Sequence, residues 1–239
     1  MVTFNRNQPW SWDDLDHPRA AKLLSGHIPD ADGANLEPFG SGDFCIAFRS
    51  GNRVFRMARH AAAAAALRRE TCVLSVIAGR LPLSVPRLTY RTPRDCTPFT
   101  IHQEIVGEVL TREIWENMPT HTLKKAAAEL ADFLKVLHSI PVMSLHCGLT
   151  QLDAAIAADN LRKTGGRTLY EFLEPDARYK LDETLREWSL LSQPAGGRPA
   201  LLHCDIGPGH VFYDPEAGKL TGVIDFGDVA IGDPARDFI

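Results

Sequence analysis

The chain has little that would place it in several large protein classes. Its five cysteines, Cys45, Cys72, Cys96, Cys147 and Cys204, are odd in number and form no CxxC pair. That excludes a zinc-ribbon spacing and argues for reduced thiols over a disulfide framework. There is no excess of positive charge: 26 Lys+Arg stand against 30 Asp+Glu, a net charge of -4. A general nucleic-acid binder normally shows a basic stripe, so nucleic acid is not an expected partner. No apolar run is long enough to cross a bilayer. The opening residues lack the basic start and apolar core of a signal peptide. A cytoplasmic location is therefore expected, with no membrane partner. No internal repeat is visible, no Gly-Lys-Ser/Thr of a Walker A loop occurs, and the histidines show no HExxH spacing.

What remains is an ordinary globular composition, 44% apolar and 23% charged over 239 residues. It is enough for one large domain or two lobes. The first part alternates as strands do. Phe44–Phe48 and Arg53–Met57 flank the turn signal Ser50-Gly-Asn52 and predict a hairpin. The alanine tract Ala61–Ala66 opens a helix running through Ile77, with Leu67, Leu74 and Ile77 on one buried side and Gly79 and Pro82 ending it. Pro98–Glu104 reads as a further strand. After Gly107 the pattern changes: Leu123, Ala126, Ala127, Leu130, Leu134 and Leu137 make a helical stripe. Residues 151–190 read as mainly helical, with a break at Gly165-Gly166. Short strands return at 199–202, 210–213 and 220–224, with a turn over Asp214–Gly218. The expectation is an α+β chain with a strand-rich lobe, residues 1–104, and a helix-rich lobe, residues 105–239. A hinge near 103–107 and a site in the cleft go with it.

Two segments carry chemistry: His203-Cys-Asp205-Ile-Gly-Pro-Gly-His210, and Val223-Ile-Asp225-Phe-Gly227-Asp228. Each acidic residue follows a short apolar strand, and a metal-ligating residue type follows the first by five positions. Phosphoryl transfer needs such a layout, because reacting oxygens must be aligned while metal neutralises phosphate charge. A carboxylate beside the acceptor hydroxyl can orient it and take its proton, which suits Asp205. Carboxylate oxygens suit hard divalent ions, which suits Asp225. Either motif alone is more readily a loop of an unrelated fold.

The two segments, in this order and spacing, resemble the catalytic loop and metal segment of the aminoglycoside-phosphotransferase and choline-kinase-like family. The segment Ile231-Gly-Asp-Pro-Ala-Arg-Asp237 resembles it too. The resemblance runs from about Pro38 to Ile239 by motif order. It implies a bilobal protein-kinase-like fold and transfer of the γ-phosphate of ATP or GTP to a hydroxyl. Asp205 would be the catalytic base, with Mg2+ or Mn2+ held by His210 and Asp225. His210 stands where the family usually has Asn; imidazole nitrogen is softer than an amide oxygen and favours manganese relatively more. The other reading of His210 is a hydrogen bond within its loop.

For the nucleotide, the resemblance implies Gly40, Ser41 and Gly42 near the phosphates and Arg56 gripping them. It pairs Glu70 with Arg56, and turns the Gln103 carbonyl and the Ile105 amide to the base. Glu70 reads equally well as a solvated helix charge. His138, in Leu137-His-Ser-Ile-Pro141, reads as a helix-end residue rather than a catalytic one. The acceptor is a small hydroxyl-bearing molecule; an aminoglycoside fits the family, and the acidic balance is compatible with a cationic one. Choline, homoserine, macrolides and sugar-like alcohols are alternatives, because fold does not fix substrate. So is a non-catalytic nucleotide binder, which Arg56 and His210 would favour. Asp153, Glu171, Glu174 and Asp176 fall where the family lines its acceptor pocket, and a solvated face explains them as well. A monomer or weak homodimer is expected. Relatives of this kind continue beyond the position of Ile239, so an acceptor site lacking one wall is the expectation for this chain.

Overall fold

The computed structural model describes residues 17–27, 36–92, 97–153, 161, 170–191 and 198–238. The chain divides into two compact units. The first comprises Met1–Val136 with Gly207–Asp228, the second Leu137–Ile206 with Val229–Ile239. This division differs from the boundary expected after residue 104. The cause lies in pairing: the segment around His210 and Asp225 returns to pair with strands of the first unit.

The first unit opens with helix α1 (His17–His27) and a five-stranded antiparallel sheet of β1 (Glu37–Ser41), β2 (Cys45–Ser50), β3 (Arg53–Ala58), β4 (Thr89–Arg91) and β5 (Phe99–Gln103), ordered β1-β2-β3-β5-β4. β2 and β3 form the expected hairpin, with Ser50 opposite Arg53 across Gly51-Asn52. Phe39–Ser41, where the sequence suggested no strand, lies in β1, which pairs with β2. Its phenylalanine precedes two small residues, and a third strand satisfies backbone groups that an edge at β2 would leave open. Phe48, Phe55, Met57 and Phe99 join Ala20, Leu24 and Leu36 in a buried cluster, so α1 is anchored on this sheet.

Helix α2 (Ala61–Ile77) starts where the His60 ring accepts from the Ala63 amide at 3.1 Å, an imidazole serving as N-cap. It buries Ala63, Ala66, Leu67, Glu70, Val73, Leu74 and Ile77. The spacing of three and four puts all seven on one face. Glu70 is the single charge in that stripe and is fully buried.

A second, three-stranded sheet completes the first unit. β9 (Val211–Asp214) and β10 (Lys219–Val223) form a hairpin, and β6 (Glu108–Val109) pairs with β9. The turn between β9 and β10 is closed by Asp214, whose Oδ1 accepts from the Glu216 and Ala217 amides. Helices α3 (Arg112–Asn117) and α4 (Thr120–Ser139) follow β6. In α4 the Glu129 carboxylate accepts from the Leu220 amide at 2.7 Å, where the β9–β10 register shifts. Ala126, Phe133, Leu134 and Leu137 are buried along it; Ala127, expected in the stripe, is exposed.

Gly222 of β10 is a point of close approach. A Cβ there would stand 2.6 Å from Ile105 Cγ2 and 2.7 Å from the Ser84 carbonyl oxygen. That oxygen accepts from the Val223 amide, so it cannot retreat without breaking the contact. Gly222→Ala is expected to cost about 1–3 kcal/mol by overpacking. Thermal unfolding would show it as a lowered Tm, and an unchanged Tm would mean that Ile105 and Ser84 can give way.

In the second unit, β11 (Ala230–Gly232) lies between β7 (Thr150–Gln151), to which it is parallel, and β8 (Ala200–Leu202), to which it is antiparallel. Helix α5 (Pro175–Leu191) supplies the described part of the helical stretch expected over 151–190; Gly165-Gly166 lie outside the described residues. Cys45 and Cys204 carry reduced thiols, as expected. Cys72 and Cys147 do not: both are disulfide-bonded, which corrects the reading of all cysteines as thiols. Cys96 lies outside the described residues. No helix among the described residues is long and apolar enough to cross a membrane.

Candidate active site

The hairpin of β9 and β10 brings His210 and Asp225 together. Val211 pairs with Val223, so the residues just outside each strand meet at the hairpin's open end. The Ile224 amide donates to the His210 carbonyl at 2.9 Å and extends the ladder by one step. Asp225 then leaves the strand direction at φ 66°, a left-handed conformation unusual for a residue with a side chain. Its Oδ2 faces His210 Nε2 at 3.8 Å. That is too long for a hydrogen bond. A hard cation about 2.1 Å from each of two donors can span about 4.2 Å between them. One imidazole nitrogen and one carboxylate oxygen at this separation therefore fit a divalent ion.

The other oxygen of Asp225 is committed. Oδ1 accepts from Arg56 Nη2 at 2.9 Å. Arg56 Nη1 reaches both oxygens of Glu70, at 2.8 and 2.9 Å. Glu70 Oε1 in turn accepts from the Phe226 amide at 3.2 Å. These bonds close a ring through Arg56 on β3, Glu70 on α2, and Asp225 with Phe226. The ring fixes both the carboxylate plane and the backbone of the metal segment. Burial works against the charge on Arg56, but the Glu70 and Asp225 carboxylates outweigh it and hold the guanidinium above its ordinary range. Burial pushes the Glu70 carboxyl up, opposed chiefly by Arg56. Burial also raises the Cys45 thiol to about 11, so it stays protonated near neutrality and is no nucleophile.

The expected pairing of Arg56 with Glu70 is thus present in the geometry, and Glu70 is not a solvated charge. The structure adds what the sequence did not show: the link from Arg56 onward to Asp225.

Gly40 and Ser41 end β1 and Gly42 follows it; all three are exposed. The Gly42 amide donates to the Cys45 carbonyl at 2.9 Å, and Arg59 Nη2 donates to Ser41 Oγ at 2.5 Å. A Cβ at either glycine would meet nothing within 4 Å, so packing within the protein does not require glycine there. Gln103 closes β5, and its carbonyl accepts from His102 Nδ1 at 2.8 Å. That contact puts the proton of the buried, neutral His102 ring on Nδ1. Burial lowers the His102 pKa, and Arg56 adds to the effect. Ile105 is buried, its side chain against Gly222.

In the second unit, Asp205 lies three residues past β8 and is exposed. Its amide donates to His203 Nδ1 at 3.3 Å. The preceding residue, Cys204, has φ 68°. Asp237, in the 3-10 turn Pro234–Phe238, receives the His203 amide at Oδ2 (3.0 Å) and the Cys204 amide at Oδ1 (2.8 Å). His138 Nε2 donates to the same Oδ2 at 2.8 Å. His138 is therefore not a local helix cap: its partner is 99 positions away. Burial pushes the Asp237 carboxyl up, but the bonds from His138 and the two amides outweigh it and leave the pKa lowered. The sequence quoted both residues without linking them. Asp153, Glu174 and Asp176 are exposed.

Comparison with known proteins matches this chain to one class. A solved GDP complex of wild-type aminoglycoside 2'-phosphotransferase-IIIa superposes with a TM-score of 0.85 over 94% of this chain and 77% of that one, at 23% identity. An apoenzyme of macrolide 2'-phosphotransferase from Brachybacterium faecium gives a TM-score of 0.67 at 22% identity, over 92% and 74% of the two chains. The protein-kinase-like α+β fold expected from the sequence is the fold of these phosphotransferases. The chain belongs to the phosphotransferase enzyme family, whose model matches residues 46–239. It is 30% identical over 146 residues to an aminoglycoside 3'-phosphotransferase of Streptomyces ribosidificus, a match covering 61% of this chain. The chain spans about half the length of the curated relatives it matches, 53% and 56% for two of them.

Proposed function

We propose that this chain is a small-molecule kinase that transfers the γ-phosphate of ATP or GTP to a hydroxyl of an aminoglycoside. The observation that carries this is the His210–Asp225 pair at 3.8 Å, with Asp225 held by the Arg56–Glu70 ring. Family membership and likeness to an aminoglycoside 3'-phosphotransferase support the reaction class and acceptor. A GDP-bound neighbour supports a nucleotide as donor.

On this reading residues 1–104 carry the nucleotide and 105–239 the catalytic and acceptor groups. Gly40, Ser41 and Gly42 lie along the phosphates, and the Gln103 carbonyl and Ile105 amide take the base edge. His210 Nε2 and Asp225 Oδ2 would hold Mg2+ or Mn2+, which when bound neutralises phosphate charge. Asp205 orients the acceptor hydroxyl and takes its proton as the oxygen attacks the γ-phosphorus, whose bond to the β–γ bridging oxygen breaks to release ADP or GDP. No covalent enzyme intermediate is involved.

The test is nucleotide turnover with Mg2+ and with Mn2+, with and without a panel of aminoglycosides. Acceptor-dependent turnover that favours Mn2+ relatively more than an Asn-containing site would is expected, because imidazole is the softer ligand. Stimulation by macrolides or choline instead would move the acceptor to another small alcohol, a reading that the macrolide-enzyme neighbour favours. Metal-dependent nucleotide binding with no turnover on any acceptor would favour a non-catalytic nucleotide binder.

A further inference from the structure

We infer that Arg59 is a phosphate-binding residue, acting with Ser41 as one cationic latch on the triphosphate. This rests on the reading of Gly40, Ser41 and Gly42 as the segment along the phosphates.

Arg56, which the resemblance assigns to the phosphates, is largely committed elsewhere. Its Nη1 serves both oxygens of Glu70, and its Nη2 serves Asp225. That ring sets one positive charge against two negative ones. A triphosphate brought to it meets net negative charge, so a second cation on the loop side is favourable. Arg59, the residue after β3, stands there. Its amide donates to the Phe44 carbonyl at 2.9 Å, which adds a rung beyond the Cys45–Ala58 pair and fixes its backbone beside the loop. Its Nη2 donates to Ser41 Oγ at 2.5 Å. Backbone and side chain thus tie Arg59 to the two ends of the segment Ser41–Phe44. Burial dominates the pKa of Cys45, but the charges of Arg56, Glu70, Asp225 and Arg59 also act on that thiol, so both guanidinium groups lie within electrostatic reach of it.

Ser41 is exposed, and a hydroxyl that accepts from a guanidinium still has its own proton to give. The bond from Arg59 turns that proton away from the guanidinium. An anion over the loop therefore meets an O–H and a cation side by side, a charge-assisted pair that suits phosphate oxygens. The glycines leave room for it. Neither Gly40 nor Gly42 has positive φ, and a Cβ at either would meet nothing within 4 Å. Packing and backbone conformation do not call for glycine there, and a Cβ would only fill the open space above the loop. Close approach of a ligand does call for it.

The experiment is calorimetric binding of ATP, AMP and inorganic tripolyphosphate, each with Mg2+, to wild type, Arg59→Gln, Arg59→Lys, Ser41→Ala and Arg59→Gln/Ser41→Ala. Loss of a hydrogen bond to a charged group corresponds to a weakening of roughly ten-fold or more, expected for ATP and tripolyphosphate in Arg59→Gln, with AMP within about two-fold of wild type. Arg59→Lys keeps the charge without the fork and should fall between wild type and Arg59→Gln. Ser41→Ala changes an exposed side chain and should weaken ATP by a smaller factor. The double variant should lose less than the product of the two single losses, because the pair acts as one unit. If Arg59→Gln does not fold, the ratio of ATP to AMP affinity in Arg59→Lys and Ser41→Ala carries the test.

Unchanged ATP affinity in the Arg59 variants overturns the inference. So does an equal fall for ATP and AMP, which a merely structural role would produce, and so do single losses that multiply in full. Tripolyphosphate separates the latch from the reading beneath it. If the wild type binds tripolyphosphate but no nucleotide, the nucleotide reading fails, and the Arg59→Gln effect on tripolyphosphate decides the latch. If the wild type binds ATP and transfers nothing, the kinase reading fails while the latch is judged on binding. Binding of neither probe overturns both.

Discussion

Asp205→Asn is expected to bind nucleotide as the wild type does and to turn it over roughly a hundred- to ten-thousand-fold more slowly, the range seen when a positioned general base is lost. The substitution preserves size and leaves the backbone bond from the Asp205 amide to the His203 ring intact. It removes the carboxylate's charge and with it the ability to accept a proton. The side chain is exposed, so no buried charge is created or removed. Steady-state kinetics with a separate nucleotide-binding titration checks the prediction. Turnover within a few-fold of wild type would remove Asp205 from the chemistry.

The second large effect is on stability. Glu70→Ala removes the partner that holds Arg56 by two hydrogen bonds and leaves the Phe226 amide without its acceptor. Glu70 is fully buried and the Arg56 side chain is 18% exposed, so water cannot restore what is lost. Breaking such a pair by deleting one member costs about 3–5 kcal/mol. For a chain of this length that corresponds to a Tm lowered by on the order of 10 °C. Calorimetry is the direct measurement. A solvated helix charge at position 70 would leave Tm within about 1 °C, since such surface changes stay within about 0.5 kcal/mol. Asp225 would also lose its alignment, because Arg56 would be held from one side only. Mn2+ binding should weaken together with the fall in Tm.

Parts of this were legible in the residues alone. The β2–β3 hairpin followed from Ser50-Gly-Asn52 between two alternating runs, and α2 from the alanine tract and its stripe. The pairing of His210 with Asp225 came from the family resemblance, and the hairpin that joins them accounts for it in the structure. Glu70 was legible in part. Leu67, Leu74 and Ile77 define a buried side, and position 70 falls on it, so a carboxylate there needs a partner. The sequence could not say that the partner also holds Asp225, because that bond joins positions 169 apart. The left-handed turns at Cys204 and Asp225 were invisible for a different reason. A cysteine does not announce positive φ and an aspartate does so only weakly, whereas glycine would have hinted at it. The contacts of Asp237 were hidden likewise, since two of its donors are backbone amides, which every residue has, and the third, His138, is 99 positions away. β1 was not expected because Pro38, Gly40 and Ser41 have little strand preference, which pairing with β2 overrode.

The hairpin that joins His210 to Asp225 also bears on the order in which the molecule assembles. The two residues are separated by fifteen positions, and strand pairing between neighbours can form within microseconds. The bond from Arg56 to Asp225 must close a loop of 169 positions. Loop-closure entropy grows as the logarithm of length, so the longer closure carries an extra cost of about 2 kcal/mol. A nascent chain can therefore present the imidazole and the carboxylate side by side before the guanidinium arrives. In that interval Asp225 has neither Arg56 nor the Glu70-held backbone to set its angle, and a divalent ion captured then would meet a looser, more adaptable pair than the one in the finished protein.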